Sequence, residues 1–140
     1  MLQYEICATS EKGGKATAIA NNSVIKFDAS AGRDDILPNP AELLLTALAA
    51  CILKNVERYS EILRYLYQSA KITVKGERSD RPPAMKKIEY LLEIDTDIEE
   101  RKLMNWHKNI VKFGTISNTL ANACELQGEI KYLTIKNLEK

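Results

Sequence analysis

Three cysteines are the side chains of this sequence with the strongest claim to covalent chemistry, and their settings differ. Cys51 sits in the apolar run Ala49-Ala50-Cys51-Ile52-Leu53. On a helix, Lys54 and Asn55 follow it three and four positions on, along the same face. Helical side chains lean toward the N-terminus, so the Lys54 ammonium can reach back toward the sulfur. A cation beside a cysteine favours the thiolate, the form that attacks electrophiles, whereas apolar surroundings oppose it. Without its neighbours, Cys51 reads as a small buried hydrophobe, and both readings stand at this point. Cys7 falls on the polar side of an early strand and Cys124 at the end of a short helix, so both read as packing or surface residues. The single histidine, His107, lies on a helix beside Trp106 and reads as a surface or boundary residue. Glu99 and Glu100 read as a solvated helix face. The sequence contains no glycine-rich phosphate loop, no G-x-S-x-G and no paired-histidine metal motif, and neither a cofactor nor a metal is expected.

The chain around these residues has 140 positions, which suits a single domain, 1–140. Lys plus Arg is 20 and Asp plus Glu is 19, for a net charge of +1. That balance, without a basic stripe, argues against a nucleic-acid partner. The longest apolar run, Leu43 to Leu53, is 11 residues and is interrupted by Thr46, whereas a membrane span needs about 20. The N-terminus lacks the basic-then-apolar layout of a secretion signal. The cysteines are odd in number and widely spaced, which gives neither a disulfide framework nor a metal site. A soluble, cytoplasmic protein without a membrane partner is the expectation.

Several elements must position Cys51. Residues 2–8 alternate, with Leu2, Tyr4, Ile6 and Ala8 on one face, as a half-buried strand does. Gly13-Gly14 marks a turn, and 15–20 and 24–28 read as two further strands joined by Asn21-Asn22. Asn39-Pro40-Ala41-Glu42 is a helix start, with Asn39 as N-cap, Pro40 at N1 and Glu42 closing a capping box. No proline or glycine then interrupts the chain to Tyr67, so the spacing predicts a helix about 42 Å long, against a globule about 35–40 Å across. Its first half, Leu43 to Leu53, is apolar nearly all round and demands cover on every side; Ile52, Val56, Tyr59, Leu63 and Leu66 form a stripe beyond it. A second subunit would supply that cover. Residues 70–78 and 85–95 alternate as strands joined at Arg81-Pro82-Pro83. Asp97 and Glu100 read as a capping pair opening a helix with the stripe Leu103, Trp106, Ile110 and Phe113, and Gly114 reads as the C′ glycine that ends it. A short helix over 116–124 and a strand over 128–136 close an α+β chain of order βββ-α-ββ-αα-β.

The segment from Asn39 to Cys51, Asn-Pro-Ala-Glu-Leu-Leu-Leu-Thr-Ala-Leu-Ala-Ala-Cys, resembles the N/S-P-x-E/Q-L-(L/F)-x-x-x-x-A-x-C helix of the OsmC/Ohr superfamily. Gly114-Thr115-Ile116-Ser117-Asn118-Thr119-Leu120 is similar to that family's C-P-V-S-x-x-L segment. The resemblance implies an OsmC-like fold with the long central helix packed on an antiparallel sheet. It also implies an intertwined homodimer with its sites at the subunit interface. Its best-known members reduce organic hydroperoxides: one cysteine attacks the peroxide, a second resolves the sulfenic acid, and arginine and glutamate organise the first thiolate.

Carried over residue by residue, the resemblance makes Cys51 the peroxidatic cysteine. The resolving cysteine falls at Gly114, the glutamate at Ala41 with Glu42 one place on, and the arginine at Lys15 after the glycine pair. Lysine keeps the charge but not the planar, multidentate guanidinium. Arg33 and Lys54 are the other cations offered as thiolate activators. Cys124 lies about three helical turns beyond Gly114 and does not replace the missing cysteine. The expected function is a one-cysteine peroxidase in oxidative-stress defence. It would take a small organic hydroperoxide and an external thiol reductant. The alternative is a non-catalytic dimer that binds a small apolar, acyl or thiol ligand.

Overall fold

The computed structural model describes residues 1–134 in two compact units, Met1–Leu44 and the chain from Leu45 onward. The first unit is an antiparallel sheet of β1 (Cys7–Ser10), β2 (Lys15–Ala20) and β3 (Ser23–Asp28) in that order. β1 is shorter than the alternation over 2–8 predicts. Cys7 pairs with Ile19, and β2 ends at Ala20 in the Asn21-Asn22 hairpin, so residues before Ile6 have no strand left to pair with. Leu2, Tyr4 and Ile6 are exposed. The turn between β1 and β2 depends on Gly14. Its φ is +98°, and a Cβ there would lie 2.3 Å from the Ser30 backbone, so backbone strain and lack of space both exclude a larger residue.

α1 (Pro40–Leu63) starts where the sequence indicates. The Asn39 side chain accepts from the Glu42 N–H at 2.9 Å, and the Glu42 carboxylate accepts from the Asn39 N–H at 3.1 Å, a reciprocal capping box. The helix ends four residues before Tyr67. Arg64 takes a left-handed φ of +59°, and the Tyr65 N–H donates back to the Ser60 carbonyl at 2.9 Å, the backbone closure of a Schellman cap. A residue other than glycine at C′ is why composition does not reveal this stop. Leu66, placed in the helical stripe by its spacing, is therefore outside the helix and exposed.

In the second unit β4 (Ser69–Asp80), β5 (Pro83–Asp95) and β6 (Glu125–Tyr132) form a sheet in that order, with α2 (Glu100–Lys112) and α3 (Thr115–Ala121) between the last two strands. β4 and β5 are antiparallel, but β5 and β6 run parallel. The expected antiparallel sheet is thus a mixed one, because α2 and α3 form the crossover that a parallel neighbour needs. β6 starts three residues earlier than expected; of the expected strand 128–136, Ile135 and Lys136 lie outside the described residues. α2 opens at Glu99 rather than Asp97, and no side chain caps it. Asp97 instead lies in the loop where Thr96 Oγ1 accepts from the Ile98 N–H at 3.4 Å.

The second unit's core joins Leu48, Ile52 and Val56 of α1 to Ile88, Leu92 and Ile94 of β5 and to Leu103, Trp106 and Ile110 of α2, all at most 1% exposed. Thr46, Ala50 and Leu53 of α1 stay exposed, so one chain does not cover the apolar segment on every side. No helix among the described residues is long and apolar enough to cross a membrane. His107 is half-buried, and its Nε2 hydrogen-bonds the Tyr90 hydroxyl at 2.6 Å. Burial pushes the His107 pKa below its ordinary 6.5 and the Tyr90 pKa up to about 12. Below about pH 6.5 the unfolded chain takes up a proton that folded His107 refuses, so stability falls with falling pH through this window. Thermal unfolding at pH 7.5 and pH 5.5 should show a lower Tm at the acid value. His107→Gln, which keeps a hydrogen-bonding side chain without the charge, should flatten that difference; an unchanged difference would exclude His107 as its source.

Candidate functional site

Cys51 is half-buried on α1, one turn before Asn55. Asn55 is itself buried, and its Nδ2 donates to the Ile110 carbonyl at 3.0 Å. That carbonyl belongs to the last turn of α2, where the helix supplies no partner of its own. Trp106 adds a second tether, donating from Nε1 to the Val56 carbonyl at 3.2 Å. Together they fix the C-terminal end of α2 against α1. The chain then passes through Phe113 and Gly114 into α3, a corner held by Asn118, whose Nδ2 donates to the Lys112 carbonyl at 3.1 Å and whose N–H donates to the Gly114 carbonyl at 2.9 Å.

Gly114 is buried in this corner with φ −87° and ψ 120°. This is ordinary extended backbone, so the expected left-handed C′ glycine is not what the position requires. Space is what it requires. A Cβ at 114 would lie 3.1 Å from Cys51 Sγ and 2.7 Å from Ser117 Oγ. Ser117 is 2% exposed, and its hydroxyl is the one buried side-chain oxygen or nitrogen without a hydrogen-bond partner among the described residues. A thiol, a hydroxyl and a side-chain-free backbone position therefore converge on one point.

The other expected site residues divide between the units. Lys54 is exposed on α1, one turn beyond Cys51. Lys15 and Arg33 belong to the first unit. Lys15 lines a cleft of about 680 Å³ with Thr17, Lys26, Asp34, Ile36 and Leu37. Arg33 pairs with Asp35 at 2.7 Å on the surface, a contact worth about 0–1 kcal/mol. Ala41 is exposed, and the Glu42 carboxylate is engaged in the capping box. Cys7 is exposed on β1. Cys124 lies past the end of α3, where its thiol donates to the Leu120 carbonyl at 3.5 Å. No group of three or more His, Cys, Asp or Glu side chains that could hold a metal occurs among the described residues. Sequence reasoning did not single out Ser117. The available signal was its match to the serine of the C-P-V-S-x-x-L segment, three residues after the position that matches a cysteine.

Residues 32–129 match the family model described as OsmC-like protein, and the chain belongs to that family. No curated protein matches it. Among solved structures, the OsmC-like protein from Mycoplasma pneumoniae is similar with a TM-score of 0.86 at 21% identity, over 95% of this chain and 99% of that one. The organic hydroperoxide resistance protein OsmC from Legionella pneumophila gives 0.70 at 13%, over 96% and 100%. The organic hydroperoxide resistance protein OhrB of Bacillus subtilis gives 0.67 at 15%, over 93% and 98%. The chain thus shares its fold with organic hydroperoxide resistance proteins.

A sulfur on residue 114 could bond to Cys51, since a Cβ there already stands at about the distance that separates Cβ from the far sulfur in a disulfide. Gly114→Cys in a Ser117→Ala background, which clears the close hydroxyl contact, should form a disulfide between positions 51 and 114 under mild thiol oxidation. Mass spectrometry would detect it as a cross-linked peptide pair. Thiols at both positions that remain freely alkylatable after oxidation would show that the corner does not hold 114 against Cys51.

Proposed function

We propose that this OsmC-like protein is a one-cysteine, thiol-dependent peroxidase that reduces organic hydroperoxides at Cys51. The observation that carries this reading is the approach of position 114 to Cys51 Sγ, which pairs the two segments that resemble the family's cysteine motifs. In the proposed cycle the Cys51 thiolate attacks the terminal oxygen of the hydroperoxide. An S–O bond forms as the O–O bond breaks, and the departing alkoxide takes up a proton to leave as the alcohol. Sulfur is oxidised to the sulfenic acid and the peroxide is reduced. An external thiol then displaces the sulfenic oxygen as water, giving a mixed disulfide. A second thiol attacks that disulfide, returning Cys51 and releasing the oxidised reductant. Lys54, Lys15 and Arg33 are the proposed sources of positive charge for the thiolate.

We read residues 1–140 as one OsmC-like domain of a cytoplasmic homodimer, in which a second copy covers Thr46, Ala50 and Leu53. Sedimentation at micromolar concentration should give a dimer, and Ala50→Arg, which adds bulk and charge to that exposed face, should give a folded monomer. A wild-type monomer at that concentration would sink the dimer.

A second reading, a binding protein for a small apolar, acyl or thiol ligand, is favoured by the first unit's cleft. Its volume of about 680 Å³ lies in the range of small-molecule sites, and it combines apolar Ile36 and Leu37 with Lys15 and Lys26. Turnover separates the two. With tert-butyl hydroperoxide and a small thiol, Cys51→Ser should abolish peroxide consumption, whereas Cys7→Ser with Cys124→Ser should leave it intact. At least one of Lys54→Ala, Lys15→Ala and Arg33→Ala should slow it several-fold. Cys51 inert to the hydroperoxide at neutral pH would remove the enzyme and leave the binding protein.

A further inference from the structure

Ser117 carries a hydroxyl that is almost wholly buried and has no partner among the described residues. An unsatisfied buried hydroxyl is unfavourable, and here it faces a defined place. The point where a Cβ of residue 114 would stand is 2.7 Å from Ser117 Oγ and 3.1 Å from Cys51 Sγ, and glycine leaves it empty of side-chain atoms. An oxygen bonded to Sγ and leaning toward that point comes within reach of the hydroxyl. We propose that the notch left by Gly114 receives the oxygen that Cys51 acquires on oxidation, with Ser117 donating a hydrogen bond to it. This rests on the peroxidase reading above and adds to it a residue and a consequence.

The hydroperoxide supplies the oxygen and is itself reduced to the alcohol, as in the cycle above, and Ser117 keeps its proton while its O–H donates. A hydrogen bond from a neutral hydroxyl to a sulfenate oxygen is charge-assisted. It draws electron density away from sulfur and so opposes attack on a second peroxide. In a protein without an internal cysteine to consume the sulfenic acid, this holds the intermediate until an external thiol arrives, short of irreversible sulfinic acid.

The test exposes the protein and its Ser117→Ala variant to increasing tert-butyl hydroperoxide without thiol. Mass spectrometry then follows Cys51 as sulfenic acid, trapped with a cyclic diketone, and as sulfinic acid. Wild type should accumulate trappable sulfenic acid, and Ser117→Ala should reach the same sulfinic fraction at about tenfold lower peroxide, the scale of one charge-assisted hydrogen bond. The Tm of reduced Ser117→Ala should equal or exceed that of wild type, because the lost hydroxyl had no partner. Gly114→Ala, which fills the notch, should also lower the yield of trapped sulfenic acid. Identical dose curves for wild type and Ser117→Ala would overturn the proposal while leaving the peroxidase intact. A lower Tm of the reduced Ser117→Ala protein would overturn it too, by showing the hydroxyl already engaged. Failure of wild-type Cys51 to oxidise at all would instead overturn the peroxidase reading, and this proposal with it.

Discussion

The site geometry depends on one buried amide. Asn55 uses its side-chain nitrogen to satisfy a carbonyl in the last turn of α2, a group that the helix itself leaves without a donor. Removing the amide would leave that carbonyl buried and unpaired, at a cost of about 1–3 kcal/mol. Its structural consequence is larger than its energy. Asn55 stands one turn past Cys51 on α1, so the chain leaving α2 is delivered beside the sulfur. There it turns through the corner that contains Gly114 and Ser117. Trp106, completely buried and tethered to Val56, keeps α2 from rotating about that single bond.

Some of this was legible because it rests on local rules. The start of α1 followed from Asn39, Pro40 and Glu42, each acting through backbone groups within one turn. The Asn21-Asn22 hairpin and the turn at Gly13-Gly14 likewise involve only neighbouring residues. The end of α1 was not legible, because Arg64 adopts a conformation that composition assigns to glycine or asparagine. The direction of β6 was hidden for a different reason. Alternation reports which face a strand buries and is silent on whether its neighbour runs parallel or antiparallel.

The candidate site divides in the same way. Cys51 was visible from its apolar run and the motif around it. Its local partners were judged from helical spacing, which correctly set Asn55 on a shared side of the helix but could not show that α2 consumes its hydrogen-bonding capacity. Gly114 illustrates the limit most sharply. A glycine after a lysine at the end of an amphipathic stripe satisfies every local expectation of a C′ residue, yet its backbone is extended and its requirement is steric. Only a contact between residues 51 and 114, far apart in sequence, distinguishes the two explanations.

That contact also sets what glycine at position 114 means. A cysteine simply replaced by glycine would leave a hole, and a hole in a packed core is destabilising in proportion to its volume. Here the same volume is bordered by a serine hydroxyl that stands 2.7 Å from where the new Cβ would be. A side chain at 114 and Ser117 in its present rotamer therefore compete for one space, and a cysteine there would force the hydroxyl to move. Glycine at 114 and a hydroxyl turned toward it are mutually consistent. They describe a site in which the Cys51 sulfur and the Ser117 hydroxyl border one position that carries no side chain. On the peroxidase reading, such a site has to keep its oxidised sulfur intact until a thiol arrives from outside, so donor placement rather than a second nucleophile becomes the feature on which the chemistry turns.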